Sequence, residues 1–300
     1  MAFDSASGWG NLPNGNFSPV IYSQKVLKFF KKISVVDEVC NTDFAGEIAN
    51  FGDSVKIIKQ PEISGGTYTR GQKLTSDTLI DDVETLTVDQ AHYFQFLLDD
   101  IENAHSHVSY EDMAVDSGAY YLKDQYDQNV LAEMVAGAGL TVGSSGSAQD
   151  VGFGASDMSP TQLLNRMSRK LDENNVPKTG RYFIGNPAFY EALFDDDSKL
   201  LDAQVVGQDP SALINENLKL SRTVHGFAML ESNNTPIDGG DDVFLAGHVS
   251  AVTTAKSILK QEHLRNPDSF GDIHRGLFVW GREVIRPEAL CKAYVQLTTD

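Results

Sequence analysis

The residues in this sequence that could do chemistry are its clustered histidines, aspartates and serines. His105 and His107 are one residue apart, a spacing that puts two imidazoles on one face of a strand, where they could bind a metal ion. No cysteine or third histidine lies near them in the sequence. The favoured interpretation is therefore an exposed connection between a strand and a helix, and His92 and His248 are interpreted as satisfied core histidines.

Two acidic clusters, Asp195–Asp197 and Asp238–Asp242, could form oxygen-rich loops of the kind that bind calcium. Neither matches the loop pattern of EF-hand sites. The first follows a predicted helix C-terminus, where the helix dipole disfavours anions. We interpret both as solvated surface loops, with a divalent ion at a contact between subunits as the alternative.

The segment Gly143–Ser147 resembles a nucleophile elbow, but Ser147 stands where the motif needs glycine and no apolar strand leads into it. Gly137 and Gly139 lack the third glycine of a dinucleotide-binding loop, because Val142 occupies its position. The sequence therefore predicts no catalytic residue, no cofactor, no cofactor-binding residue and no metal ligand. We expect that the protein is not an enzyme.

Composition limits the partners of the chain. A net charge of −18 repels phosphates, so sequence-specific binding of nucleic acid is not expected. Cys40 and Cys291 are far apart and share no motif, which favours two buried thiols. No apolar run is long enough for a membrane span, and Met1–Pro19 lacks the apolar core of a signal peptide. We expect a protein that is made and used in the cytosol.

The first half of the chain has four patterned segments. Tyr22–Val39 has apolar residues at helical spacing, with lysines on what we interpret as a solvated face. Ser54–Lys59 is a predicted strand, and Glu84–Leu98 is the longest strand pattern, with apolar residues alternating at period two. The polar segment Pro61–Asp82 between them is uncommonly long for a compact monomer, so we expect it to lie on a neighbouring subunit.

The longest helical pattern runs from Tyr110 to Ala136 and ends at Gly137–Gly139. At 1.5 Å per residue it would be about 40 Å long, long enough to support the other elements. We interpret Gly143–Ser156, small and polar, as a linker. The predicted apolar stripe of the helix consists of Tyr110, Met113, Ala114, Tyr121, Leu122, Leu131, Met134 and Val135.

The second half begins as a compact α/β unit. Ser159–Gln162 has capping-box spacing before a helix, Tyr182–Ile184 is a predicted buried strand, and Asn186 caps a second helix. The two helices should bury Leu163, Leu164, Met167 and Leu171, and Tyr190, Leu193 and Phe194. Five further strands are predicted, over Val224–Leu230, Val243–Ala246, Ala251–Leu259, Gly276–Val284 and Leu290–Leu297. The fold class is α+β.

The order of these parts resembles the major capsid proteins of tailed bacteriophages, which share the Hong Kong ninety-seven phage capsid fold. Gly52–Ile57 resembles the entry to the family's extended loop, and Leu86–Gln90 its return strand. Phe244–His248 resembles the approach to the peripheral strands, and Arg286–Leu290 the family's ending. The resemblance covers the chain from about Phe17 to the end.

The resemblance implies a subunit whose hexamers and pentamers close an icosahedral shell around double-stranded DNA, without sequence-specific binding. The virion capsid would assemble in the host cytoplasm. The implied regions are an N-terminal arm (1–51), an extended loop (52–85), a peripheral domain with a long spine helix (86–142 and 250–283) and an axial α/β domain (143–249 and 284–300).

The family also suggests further partners and one covalent reaction. A separate scaffolding protein, a portal and a decoration protein are the expected partners, and no membrane partner is expected. Some relatives join a loop lysine to a peripheral asparagine with help from a glutamate. Lys73, Asn266 and Glu262 lie in the corresponding segments but match no motif, so we expect no cross-link.

Three other functions remain as alternatives. An encapsulin-like compartment shares the fold, but such proteins open with a cargo-docking helix, whereas Met1–Pro19 is polar. A tail tube subunit would be mostly β, which the predicted helices disfavour. A hydrolase that uses serine, histidine and aspartate would be a compact monomer or dimer.

Overall fold

The computed structural model describes residues 31–32, 34–44, 54–61, 63, 65–73, 76, 83–100, 110–152, 157–194, 224–267 and 269–297. The helices in this part of the chain are α1 (Val36–Val39), α2 (Tyr110–Gly137), α3 (Pro160–Glu173) and α4 (Pro187–Leu193). The strands are β1 (Ser54–Ile58), β2 (Val83–Thr87), β3 (Gln90–Asp99), β4 (Leu140–Val142), β5 (Gln149–Val151), β6 (Arg181–Gly185), β7 (Phe227–Glu231), β8 (Ile237–Asp238), β9 (Asp241–His248), β10 (Val252–Arg265), β11 (Gly271–Val284) and β12 (Leu290–Leu297). The α+β class is confirmed.

The pattern from Glu84 to Leu98 forms two strands rather than the single predicted strand. β2 pairs with β1 in a hairpin, whereas β3 pairs with β11, so the chain changes partners at Val88. Gly281 of β11 lies against this break, where an added Cβ would come within 2.5 Å of the Thr87 carbonyl oxygen. Period-two spacing specifies which face a residue takes, but it does not specify which strand will be its neighbour.

Strands β10, β11 and β3 form a three-stranded antiparallel sheet in that order. Along β3 the even-numbered side chains are half-buried and the odd-numbered ones are exposed up to Leu97, which confirms the predicted alternation. β10 and β11 are longer than predicted, at 14 residues each, because their outer halves pair with each other beyond the predicted ends.

The long helix is confirmed as α2, one residue longer than predicted, and it packs on the three-stranded sheet. Its 28 residues give a length of about 42 Å. The buried face includes Leu122, Tyr126, Val130, Leu131 and Met134. Tyr121, which the apolar stripe includes, is 46% exposed because it lies about 100° from Leu122 around the helix.

The second sheet has seven strands, in the order β4, β12, β9, β6, β7, with β5 also paired to β12 and β8 to β9. The predicted caps beside it are confirmed: Ser159 Oγ accepts a hydrogen bond from the Gln162 N–H, and Asn186 Oδ1 accepts one from the Phe189 N–H. The predicted apolar residues of α3 are fully buried, and β6 is buried along its whole length.

The predicted linker Gly143–Ser156 is partly wrong. β5 lies within it and pairs with β12 in parallel, and a turn at Ser144–Ser147 joins it to β4. Gly143 and Gly146 have φ values of 74° and 77°, which only glycine adopts without strain, so the small residues form a tight turn.

Strand β7 starts later than predicted, at Phe227 rather than Val224, because His225 and Gly226 have positive φ.

The predicted helix Tyr22–Val39 is wrong in its described part, where only α1 is helical. Residues 31–32 and 34–35 have no regular structure, and residues 22–30 lie outside the described residues. Contacts with α2 hold these non-helical residues in place. Ser34 Oγ, for example, donates a hydrogen bond to Asp127 Oδ1 at 2.9 Å.

One aromatic side chain of β3 sits in a notch made by two glycines. A Cβ on Gly118 of α2 would lie 2.6 Å from the ring of Phe94, and a Cβ on Gly276 of β11 would also contact that ring. We predict that Gly118→Ala lowers the free energy of unfolding by about 1–3 kcal/mol through overpacking, although alanine favours helices. Urea-induced unfolding measures the change.

A suitable control for this variant is Lys123→Ala, at an exposed position of the same helix. We expect it to change the free energy of unfolding by less than about 0.5 kcal/mol. A Gly118→Ala protein that is as stable as the unmodified chain would contradict the close packing of Phe94 against Gly118.

Candidate assembly surfaces

Two candidate motifs from the sequence lie together at the start of β9, an inner strand of the seven-stranded sheet. The Gly146 N–H donates to Asp241 Oδ2 at 3.1 Å, so the serine-rich turn binds the acidic hairpin. Asp238 accepts a hydrogen bond from the Tyr294 hydroxyl, and Asp242 accepts one from Asn186 Nδ2. These carboxylates therefore hold loops together. Within the described residues no group of three or more histidine, cysteine, aspartate or glutamate side chains could hold a metal ion.

The histidine predictions have mixed outcomes. His105 and His107 lie outside the described residues, as do Asp195–Asp197. His92 stacks on Trp280 with ring centroids 5.0 Å apart, and His248 Nδ1 lies 2.8 Å from Ser250 Oγ. Both rings have partners, although both residues are half-buried rather than in the core.

The two cysteines are free and buried, as predicted. Burial raises the pKa of the Cys40 thiol to about 12, with the charges of Asp37 and Asp127 as further causes, and burial raises that of Cys291 to about 12. Both groups therefore stay protonated near neutral pH, where a thiol is a poor nucleophile. Neither has the environment of a catalytic cysteine.

The residues considered for a cross-link lie at the surface. Lys73 is exposed on the hairpin loop. The Glu262 carboxylate is bound by Arg275, whose Nε lies 2.8 Å from its Oε2 atom. Asn266 Nδ2 donates to Ser269 Oγ at 2.6 Å in the turn between β10 and β11.

Lys31 and Lys32 are exposed, as predicted, and their ammonium groups also contact α2. Lys31 Nζ lies 2.6 Å from Asp116 Oδ2, and Lys32 Nζ lies 3.9 Å from Asp124 Oδ1. Lys32 Nζ also donates to Asn234 Oδ1 at 2.8 Å. Sequence reasoning missed these contacts because the acidic partners are about 85 residues or more away along the chain.

A buried carboxylate anchors the same N-terminal segment. Asp127 is 0% exposed, and its Oδ1 atom accepts hydrogen bonds from Ser34 Oγ at 2.9 Å and from the N–H groups of Val35 and Val36 at 3.2 Å each. Its Oδ2 atom accepts one from Asn234 Nδ2 at 3.1 Å. This network joins the N-terminal segment, α2 and the loop after β7.

The tip of the β10–β11 hairpin carries an exposed aromatic residue on a fixed turn. Phe270 is 80% exposed. Arg265 pairs with Asp100 through two nitrogens and with Asp272 Oδ1 at 3.1 Å, which ties the tip to the end of β3. The hydrogen bond from Arg265 holds the pKa of the Asp100 carboxyl below its usual value.

Exposed apolar side chains concentrate on the hairpin loop and the three-stranded sheet. Ile58, Ile63 and Tyr68 on and near the loop are each more than 60% exposed. On β3, Tyr93 is 71% and Leu97 is 51% exposed. These exposed side chains are candidate contact surfaces, because contiguous apolar patches mark interaction sites. No described helix is long and apolar enough to cross a membrane.

Three carboxylates meet where the β1–β2 hairpin joins the sheet and α2. Burial, followed by the charges of Glu133 and Glu84, raises the pKa of the Glu283 carboxyl above its usual value. Lys59 binds Glu84 at 2.7 Å and Arg282 binds Glu133 at 3.3 Å, so two of the three charges are paired. The Arg282 charge and a backbone hydrogen bond at Val284 favour the charged form of Glu283 but do not cancel the rise in its pKa.

Comparisons with known proteins identify the fold. No protein-family model matches the chain, and no curated protein matches its sequence. A chain of the solved structure of Mycobacterium phage Che8 is 27% identical with a TM-score of 0.78, covering 92% of this chain and 97% of that one. The capsid of cyanophage P-SCSP1u matches at 17% identity and a TM-score of 0.74, covering 99% and 100%. The mature capsid of bacteriophage PhiM1 matches at 15% identity and a TM-score of 0.69, covering 94% and 93%.

The fold is therefore that of phage capsid proteins. This likeness supports a tailed-phage major capsid protein and hence a subunit of a capsid shell. A virus-like particle from Pyrococcus furiosus also matches, at 15% identity and a TM-score of 0.50 over 82% of this chain.

Removal of the Asp127 carboxylate should destabilise the chain strongly. Asp127→Ala leaves several buried donors without an acceptor, so we expect the free energy of unfolding to fall by about 2–4 kcal/mol. Asp116→Ala is the matched control on the same helix. Its side chain is 55% exposed, so we expect a loss below about 1 kcal/mol. Equal losses for the two variants in urea-induced unfolding would contradict the anchoring role.

The Glu283 carboxyl gives the stability of the chain a specific pH dependence. Its raised folded-state pKa means that protonation favours the folded chain, so this stability is present below pH 4.5 and is lost as pH rises through the raised pKa. We expect Glu283→Gln to raise the melting temperature at about pH 7 but not at about pH 4. Glu173→Gln, at an exposed position, should change it at neither pH. A gain that is the same at both pH values would argue against this cause.

Proposed function

We propose that this chain forms hexamers and pentamers that close an icosahedral shell around double-stranded DNA. The observation that carries the proposal is a structural likeness to phage capsid chains over more than nine tenths of both chains. A net charge of −18 suits a wall that confines DNA without binding its phosphates.

The proposed subunit has the Hong Kong ninety-seven type of organisation. The arm is residues 1–51, the extended loop 52–85, the peripheral domain 86–142 with 250–283, and the axial domain 143–249 with 284–300. The three-stranded sheet with α2 falls in the peripheral part and most of the seven-stranded sheet in the axial part. Because β4 pairs with β12, the axial part would start at Leu140.

Contacts between subunits would form through the extended loop. Ile63 and Tyr68 are 72% and 62% exposed, and burial of such side chains on a neighbouring copy would stabilise the assembly. Residues 54–73 of the loop are basic, with Lys56, Lys59, Arg70 and Lys73 against the single acid Glu62, in a chain that is otherwise acidic. Opposite charges on this stretch and on the rest of the surface would favour its docking on a second copy.

The role is structural rather than enzymatic. The two cysteines are buried, and the carboxylates of Asp127, Asp241 and Asp242 accept hydrogen bonds that hold segments of the chain together. A separate scaffolding protein, a portal and a decoration protein complete the proposed assembly in the host cytoplasm. We propose that no covalent cross-link forms, since the Glu262 carboxylate is occupied by Arg275.

The test is negative-stain electron microscopy of the full chain together with its mass in solution. We expect polyhedral particles or rings of capsomers, with a diameter that separates a phage head from a small compartment. Ile63→Asp should lower the particle yield roughly tenfold, because a charge replaces an interface side chain. Ile63→Val, which keeps the apolar contact, is the matched control and should assemble.

A chain that stays monomeric or dimeric, both alone and with its candidate scaffolding protein, would contradict the proposal. Uniform full-size shells from the pure chain would count against a separate scaffold. Boiled particles should run as one band on a denaturing gel, and a ladder would contradict the absence of cross-links.

A further inference from the structure

Among the described residues, the outer edge of β3 is unpaired, and its side chains up to Leu98 carry no charge. β3 is the last strand of its sheet, and within the part of the chain that the structure describes no strand pairs with its outer edge. Gln90–Leu98 contains no charged side chain, although 22% of the residues in the chain are charged. Open strand edges are usually protected by lysine, proline or a bulge, because they otherwise pair with another chain.

The surroundings of this edge also suit a partner strand. A groove of about 620 Å³ follows the strand, lined by residues 91–97 and by Tyr121 of α2. Tyr93 and Leu97 point out of the exposed face of β3 and are 71% and 51% exposed. A strand added at this edge would cover these side chains and pair with the backbone groups on this side of β3.

We propose that the β3 edge pairs with the same edge of a second copy of this chain, antiparallel about a two-fold axis at Gln95. Residues that lie directly opposite each other on paired strands have their side chains on the same face of the sheet. Exposed residues of one copy must therefore lie opposite exposed residues of the other, which excludes every second register. With Gln95 on the axis, exposed Tyr93 lies opposite Leu97, and half-buried Phe94 lies opposite Phe96. This inference rests on the proposed function, in which copies of the chain build the shell.

The absence of charged side chains from Gln90 to Leu98 favours a second copy of this acidic chain as the partner. Each copy carries −18, so two copies repel wherever carboxylates face each other. In the proposed register the first carboxylate, that of Asp99, lies opposite Ala91. Like-charged copies can therefore meet along this edge without opposed charges. The basic stretch 54–73 of a second copy's extended loop, through Tyr68, is the competing occupant.

The contact is an element of the assembled shell rather than of a free dimer. One pair of strands buries much less than the roughly 1,200 Å² of a stable interface. The pairing therefore has to be detected by trapping in assembled particles. The chain suits this experiment because both native cysteines are buried and protonated.

The experiment is oxidation of assembled Gln95→Cys particles, followed by a non-reducing gel. We expect a disulfide-linked dimer, at roughly ten times the yield of Lys260→Cys on the opposite edge of the sheet, because disulfides need Cβ atoms in close approach. Tyr93→Cys and Leu97→Cys should not form dimers singly, whereas particles assembled from a mixture of the two should.

Charge reversal at the axis is the second measurement. Gln95→Glu and Gln95→Lys should each lower particle yield severalfold when assembled alone, because like charges would lie directly opposite. A mixture of the two proteins should restore the yield. Gln95 is exposed, so neither substitution disturbs the core.

Particles of Gln95→Cys that form normally but give no dimer would overturn this inference and leave the proposed function intact. A cross-link between Tyr68→Cys and Gln95→Cys in mixed particles would overturn it in favour of the extended loop. Failure of the unmodified chain to form any particles would instead contradict the proposed function.

Discussion

The packing of Tyr126 against Phe278 and Trp280 is the contact on which the arrangement of the sheets depends. The Tyr126 ring meets both aromatic rings edge-on at 5.7 Å, which fixes α2 across the three-stranded sheet. The end of the helix leads into β4, and Lys292 Nζ of β12 donates to the Val135 carbonyl oxygen at 2.9 Å. One hydrophobic cluster therefore contains residues of both sheets.

The charged residues of the chain have different roles in the interior and at the surface. Inside, Asp127 and Arg181 are surrounded by hydrogen-bond partners, which offsets the cost of burying a charge. At the surface, the excess of carboxylates keeps copies apart except where a surface lacks charge or carries lysine and arginine. The basic stretch 54–73 and the uncharged residues 90–98 of β3 are surfaces of these two kinds.

Sequence reasoning was accurate wherever the structure depends on neighbouring residues. The caps at Ser159 and Asn186, the length of α2 and the bounds of β12 follow from hydrogen bonds and side-chain periodicity within a few residues. The burial of Cys40 and Cys291 followed from composition. The order of these elements was sufficient to indicate the capsid fold, because that order is itself a property of the sequence.

The errors lie where distant residues decide the outcome. The break at Val88, the pairing of β5 and the non-helical residues before α1 each depend on a partner far along the chain, namely β11, β12 and Asp127. The position of β3 as the last described strand of its sheet could not be predicted either, because it depends on which strands pair in the folded chain. The sequence alone thus determined the helices, the caps and the order of the parts, whereas pairing and surface contacts required the tertiary structure because they join residues that local patterns do not relate.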